Sequence, residues 1–239
     1  SNLYKLKQGD TRVRLYDYGT EREVDVTLDG RLSPSKNAQR YYKKYAKAKH
    51  AQTVLTEQIA LAERELDYLS SVQDAVSRAG SERDFAELRQ ELALAGICGD
   101  ARASKSGKKG GRPAPSKPLT FTLTSGRTVR VGKNNLQNDA LTFGADKTDI
   151  WFHVKGFPGS HAVLFTGGAE PTDLDYTESA MLAAYHSKAS GGVNVQVDYT
   201  PVRFVKKPAG AKPGYVIYDK YFTAVVRAEL PDGVREEKK

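Results

Sequence analysis

Residues 33–80, SPSKNAQRYYKKYAKAKHAQTVLTEQIALAERELDYLSSVQDAVSRAG, decide the first half of the fold. Ser33 suits a helix N-cap and Pro34 the first helical position, where its missing N–H costs nothing. Beyond them Tyr41, Tyr45, Ala48, Gln52, Leu55, Ile59, Ala62, Leu66, Leu69, Gln73 and Val76 step by four and three in strict alternation. That spacing is a heptad seam about five heptads long, ending near Gly80. A stripe of this kind buries against another helix. The next helix expected, Glu82–Ala95, is too short to cover it, so the partner is either a second copy of the chain, giving a homodimer through the exposed seam, or a helix outside this sequence. The opening residues SNLYKLKQGD read as the interior of a longer protein.

Upstream, Val13 and Leu15, then Val24, Val26 and Leu28, alternate in the strand manner and predict a β-hairpin of Arg12–Tyr16 with Glu23–Leu28. Downstream, Gly99–Pro118 is Gly, Ser, Pro and Lys without a large apolar side chain, the composition of a linker. A β-rich domain follows. Strands are expected at Thr120–Leu123, Thr128–Val131, Ala140–Phe143, Ile150–Val154, His161–Phe165, Val193–Tyr199, Tyr215–Tyr218 and Phe222–Val226. The one main helix expected is Thr172–Ala189, with Thr172 as its cap and Gly191-Gly192 as its stop. Strands without βαβ alternation make the class α+β. The domain plan is a hairpin tip at 1–32, a coiled-coil helix and short second helix at 33–98, a basic linker at 99–118, the β-rich domain at 119–230 and a charged tail at 231–239.

The chain has 239 residues and a formal charge of +8, with a single cysteine, Cys98. An intrachain disulfide is therefore impossible, which fits a reducing, cytoplasmic setting. No apolar run approaches the roughly 20 residues of a membrane span, so no membrane partner is expected. The positive charge is segregated. Gly30–Thr56 holds Arg31, Lys36, Arg40, Lys43, Lys44, Lys47 and Lys49 without an acid, and Ala101–Asn138 holds nine Lys or Arg without an acid. A solvated surface normally mixes signs. Cations at a helix N-terminus also oppose its dipole. Arg40, Lys43, Lys44 and Lys47 are thus expected to face RNA. Arg203, Lys206, Lys207 and Lys212, in a loop shaped by Pro208, Gly210, Pro213 and Gly214, form a second candidate phosphate contact.

Residues 131–165, VGKNNLQNDALTFGADKTDIWFHVKGFPGSHAVLF, concentrate polar groups between apolar runs. Lys133, Asn134, Asn135, Gln137 and Asn138 could hydrogen-bond sugar or base edges; the G-x-x-x-x-G-K-[ST] frame of a nucleotide-hydrolysing loop is missing. Trp151 and His153, at i and i+2 on one strand, could be core or a base-stacking platform. Lys155 follows them. Pro158-Gly159-Ser160-His161 joins two strands, either as a tight turn satisfying itself or as an anion cradle on the rim. His153, His161 and Asp149 lack a fourth metal ligand, and Ser160-His161 has no nucleophile elbow, so neither a metal, a cofactor nor an enzyme activity is expected.

At these residues the chain resembles the NFACT family. GKNNLQND, DIWFHVK ending in PGSH, SAMLAAYHSKA and VDYTPVRFVKKPAGAKPGYVIY follow the order and spacing of the NFACT-R domain, and LSPSKNAQRYYKKYAKAK resembles the opening of the returning coiled-coil helix in the same proteins. Gly156-Phe157 departs from the acidic residue and Ile common before PGSH, and Ala209 from a common Lys. The family is also labelled fibronectin-binding protein A-like, and its RqcH-like members are ribosome-associated quality-control factors. The resemblance implies binding to the obstructed large ribosomal subunit through rRNA and tRNA. It also implies recruitment of alanyl-tRNA for C-terminal alanine tailing, with no chemical step by the protein itself. The tRNA-engaging signature of NFACT-N is not among these residues. The alternative implied by the label is a cell-surface adhesin with fibronectin or fibrinogen as partner; a third reading makes the C-terminal domain only a cap that orients the coil.

Overall fold

The computed structural model describes residues 3–98 and 116–237. Two compact units divide it, Ser1–Glu63 and Arg64–Lys239, and the boundary falls inside the long helix rather than at the basic linker. Most of the expected linker, residues 99–115, lies outside the described residues.

In the first unit, strands β1 (Arg12–Asp17) and β2 (Arg22–Thr27) pair antiparallel, with Val13 opposite Val26 and Leu15 opposite Val24. Helix α1 (Pro34–Arg78) begins as its cap signals predict, the Ser33 hydroxyl accepting from the Lys36 N–H. Asn37, 3% exposed, fastens hairpin to helix: its amide donates to the carbonyls of Asp29, Leu32 and Ser33 and its Oδ1 accepts from the Asp29 N–H. Tyr41 adds a hydroxyl bond to the Thr27 carbonyl at 2.6 Å. The seam residues Tyr45, Leu55, Ile59 and Leu66 are all more than half exposed. Over its last turns α1 buries a neighbouring stripe instead, Tyr68, Val72 and Ala75.

The second unit carries helix α2 (Glu82–Leu94), capped by Ser81, and a seven-stranded antiparallel sheet. Its strands are β3 (Leu119–Thr122), β4 (Thr128–Val131), β5 (Ile150–Val154), β6 (Ala162–Leu164), β7 (Val195–Pro201), β10 (Phe222–Val226) and β11 (Arg235–Glu236), in the order β10-β7-β5-β6-β4-β3-β11. Residues of the expected charged tail thus supply an edge strand, Arg235 pairing with Thr122. A small hairpin, β8 (Val205–Lys206) with β9 (Ile217–Tyr218), stands apart from the sheet ladder. Helix α4 (Asp173–Tyr185), with Thr172 and Asp175 in a reciprocal capping box, covers one face over Phe121, Val129, Phe152, Leu164 and Val197. The other face holds Trp151, Val163, Val202 and Val205 beneath helix α3 (Asn135–Gly144).

Two expectations are corrected. Ala140–Phe143 is not a strand but the end of α3. Asn134 caps that helix, accepting from the Gln137 N–H at 2.9 Å, and the cap decides the segment's geometry against its short apolar run. The helix expected to reach Ala189 stops at Tyr185. Beyond it the Ser160 N–H donates to the His186 carbonyl and the Lys188 N–H to the Pro158 carbonyl, so pairing with the PGSH turn replaces the helical ladder.

Gly132 is required by close approach. A Cβ there would meet the Asn138 side chain and, at 3.0 Å, its backbone nitrogen. Gly132→Ala is expected to lower stability by about 1–3 kcal/mol in urea titration. Gly144→Ala, which enters open space, should change it by less than about 1 kcal/mol.

Candidate nucleic-acid interface

Helix α2 presents Asp84, Glu87 and Glu91 along one side, at i, i+3 and i+7, and these meet the start of α3 (Asn135–Gly144). Glu91 is fully buried. Its carboxylate accepts from the Asn135 backbone N–H at 3.1 Å and from the Asn135 amide at 2.8 Å, and that amide also reaches the Ser71 hydroxyl of α1. Glu87 accepts from the amides of Asn134 and Gln137, both at 2.9 Å, and from Ser116. Lys133 donates to Asp84 at 2.9 Å. Helix N-termini favour anions, so three carboxylates aimed at this one are well placed. Burial pushes Glu91 above the ordinary carboxylate range, against the lowering effect of its Asn135 bonds. Glu87 is held below that range; burial opposes this, but bonds from Ser116, Asn134 and Gln137 prevail.

The same clasp continues into the PGSH turn. Asn138 accepts from the His161 N–H at 3.0 Å, Ser160 donates to the Gly132 carbonyl, and Arg78 at the end of α1 donates to the Ser160 hydroxyl at 3.0 Å. His161 is buried with its Nδ1 2.8 Å from the Thr142 hydroxyl. Trp151 has no exposed surface; the His153 ring stacks on it at 5.8 Å, His161 meets it edge-on at 5.2 Å and Tyr218 closes at 4.8 Å.

The expected RNA-facing residues therefore separate into three groups. Asn134, Asn135, Gln137, Asn138, Trp151, Ser160 and His161 are turned inward, each at most 7% exposed; His153 is half-buried on Trp151. Among these residues the Trp151 indole N–H is the one fully buried side-chain donor left without a partner. They shape and fasten the domain rather than present donors to a partner, which corrects the picture of a donor-rich surface. Lys133 is taken by Asp84, Lys207 by Asp139 and Lys212 by Glu65 at 3.1 Å, with the Lys212 ammonium over the Tyr68 ring. The exposed remainder is Lys155, Arg203 and Lys206 on the second unit, and Arg40, Lys43, Lys44 and Lys47 on the first. In the first unit Arg31, Arg40, Tyr41 and Lys44 line a recess of about 620 Å³. Asp29 is the carboxylate at its wall, paired to Arg31 at 3.1 Å and Arg40 at 3.6 Å.

Sequence reasoning missed Glu87 and Glu91 as the partners of the Asn-rich segment, and it missed Phe204, Lys220 and Tyr221 beside the exposed cations. The signals were present: the acidic stripe at helical spacing on α2, and an Asn cap followed at its third residue by Gln.

Burial holds His153 and His186 down at about 4, and His161 well below the usual 6.5. For His186 the Arg78 guanidinium adds to the effect. A lowered folded-state value means each ring stays neutral in the fold while it protonates at about 6.5 in the unfolded chain. Stability from this source is complete above pH 6.5 and is lost as pH falls toward 4. Each ring contributes a slope of about 1.4 kcal/mol per pH unit in that window, and Glu91, raised, offsets at most one of them. Urea midpoints measured between pH 7 and 4.5 should fall steadily. A flat profile would contradict the lowered proton affinity of the three rings in the fold.

The family model described as NFACT N-terminal and middle domains matches residues 1–110. A protein named Rqc2 homolog RqcH from Bacillus subtilis is 41% identical over 243 residues, covering 100% of this chain and 41% of that protein. The Rqc2 homolog RqcH of Streptococcus suis is 42% identical over 218 residues, covering 90% of this chain and 38% of that protein. The chain thus spans about two fifths of the length of these relatives. Among solved structures, the C-terminal part of the fibronectin/fibrinogen-binding protein from Streptococcus suis matches with a TM-score of 0.72 and 41% identity, over 83% of this chain and 77% of that one. With this likeness in sequence and in fold, the chain belongs to the NFACT family.

Proposed function

We propose that this chain is the ribosome- and RNA-contacting part of a quality-control factor. In this reading it binds the obstructed large ribosomal subunit through rRNA and tRNA, and helps recruit alanyl-tRNA for C-terminal alanine tailing of stalled chains. The observation that carries the reading is the exposed, acid-free row Arg40, Lys43, Lys44 and Lys47 on the first turns of α1. No carboxylate pairs with Lys43, Lys44 or Lys47 among the described residues, so no ion pair within the fold accounts for them. Phosphate neutralisation does. The identity to RqcH proteins over the whole chain supports the same partner class. The role is positioning, with no bond made or broken by the protein, and the setting is cytoplasmic.

A second reading, an adhesin for fibronectin or fibrinogen, is favoured by the name of the Streptococcus suis structure. Salt dependence separates the two, because each phosphate contact adds about 0.7–0.9 to the logarithmic salt slope. In co-sedimentation with large ribosomal subunits, Lys43→Glu with Lys44→Glu and Lys47→Glu is expected to weaken binding at least about tenfold and to flatten the salt slope by roughly two to three. Unchanged ribosome binding would contradict the role of the coil end.

A further inference from the structure

On the second unit the face of the sheet that carries Trp151 and Asp198 is not covered along its β10 side. Register places His153 opposite Asp198 and Asp198 opposite Thr223, so these lie on that face. Asp198 is buried at 1% and accepts from the hydroxyls of Tyr218 at 2.8 Å and Thr223 at 2.6 Å. Above it Lys155 stands 3.9 Å from the Asp198 carboxylate and 5.6 Å from the centre of the Tyr221 ring. Tyr221 is 45% exposed and is braced edge-on by Tyr218 at 5.2 Å. Lys220, the residue before Tyr221, brings its ammonium 5.1 Å from the centre of the Phe204 ring, and the Arg203 guanidinium lies 5.0 Å from the same centre. The two plates are held by backbone. The Asp219 N–H donates to the Phe204 carbonyl, the Thr200 hydroxyl lies 3.2 Å from the Lys220 carbonyl, and Lys220 takes a left-handed φ of 51°. For a non-glycine residue that conformation is strained and is kept only where its surroundings hold it. Asp219 lies 3.7 Å from the Lys206 ammonium.

We propose that this ledge, Arg203 backed by Phe204 together with Tyr221 and Lys155, is a stacking site for unpaired RNA bases. A guanidinium lying on an aromatic ring is a planar plate that takes a base on its free side, and an exposed Tyr ring does the same. Lys155, Lys206 and Lys220 supply charge to the backbone between stacked bases. Base-paired RNA buries its base faces in its own stack and cannot use such plates. The ligand class is therefore a single-stranded or bulged RNA segment, read by stacking and not by base edges. This assignment rests on the RNA reading of the chain and specifies the form of RNA.

The test uses fluorescence anisotropy of the 239-residue chain with three labelled probes of equal length: a single-stranded oligoribonucleotide, a duplex, and an oligomer with the same sugar-phosphate backbone but abasic at its central positions. The single strand is expected to bind at least about fivefold tighter than the other two. Tyr221→Leu should remove about 5- to 100-fold of single-strand affinity and leave abasic binding within about twofold. Phe204→Leu should act likewise; because Phe204 is partly buried, the exposed Tyr221 carries the decision if the Phe204 variant fails to fold. Equal binding of single-stranded and abasic probes would overturn the stacking site and leave the RNA reading standing. Binding of none of the three would overturn both.

Discussion

A buried carboxylate and a helix N-terminus hold the second unit together. Glu91 has no exposed surface, and its oxygens are filled by the Asn135 N–H and amide. Isolated in a protein interior, a carboxylate would cost several kcal/mol in lost hydration. Here the positive end of α3 and the hydrogen bonds offset that cost, and the remaining imbalance appears as the raised proton affinity of Glu91. The same Asn135 amide reaches Ser71, so one side chain joins the end of α1, α2 and the start of α3. Removing either side chain leaves the other buried with part of its hydrogen bonding lost, which is costlier than never having buried it.

That clasp also explains which cations are available. Lys133, Lys207 and Lys212 find carboxylates at Asp84, Asp139 and Glu65, where they brace the helices against the sheet. Charge segregation along the sequence overstated the free positive surface of this unit. Of what remains exposed, Lys206 sits by Asp219, and two cations lie beside aromatic rings: Lys155 with Tyr221, and Arg203 with Phe204. A cation over a ring face is oriented and partly dehydrated, a different contact from a lysine waving in solvent. The first unit shows both kinds: Lys43 and Lys47 are exposed with no ring beneath them, whereas the Lys44 ammonium lies 5.6 Å from the centre of the Tyr41 ring.

Much of this was legible in the sequence where local chemistry decides the outcome. Ser33-Pro34 marks the start of α1, the Thr172 cap marks α4, and the strands Ile150–Val154 and Phe222–Val226 have the bounds their apolar pattern predicts. What failed was non-local. The partner that buries Asn135 stands 44 residues upstream, so nothing beside the Asn-rich run distinguishes a donor-rich surface from a clasp. Likewise the early end of α4 follows from bonds to the PGSH turn, more than twenty residues before it. The seam residues do lie on one continuous helix, but the stripe of α1 that is buried within the second unit is the neighbouring one, Tyr68, Val72 and Ala75. A seam of apolar residues says that something covers it; it does not say which neighbouring stripe a folded domain will claim.

The most direct measurement is a double-mutant cycle on Glu91→Ala and Asn135→Ala, read as unfolding free energies in urea. If the buried pair is the fastening of this unit, the two losses will not add, and the coupling will exceed about 1 kcal/mol. Additivity to within about 0.5 kcal/mol would mean that the two side chains act independently, and the clasp would not be what holds α2 and α3 together.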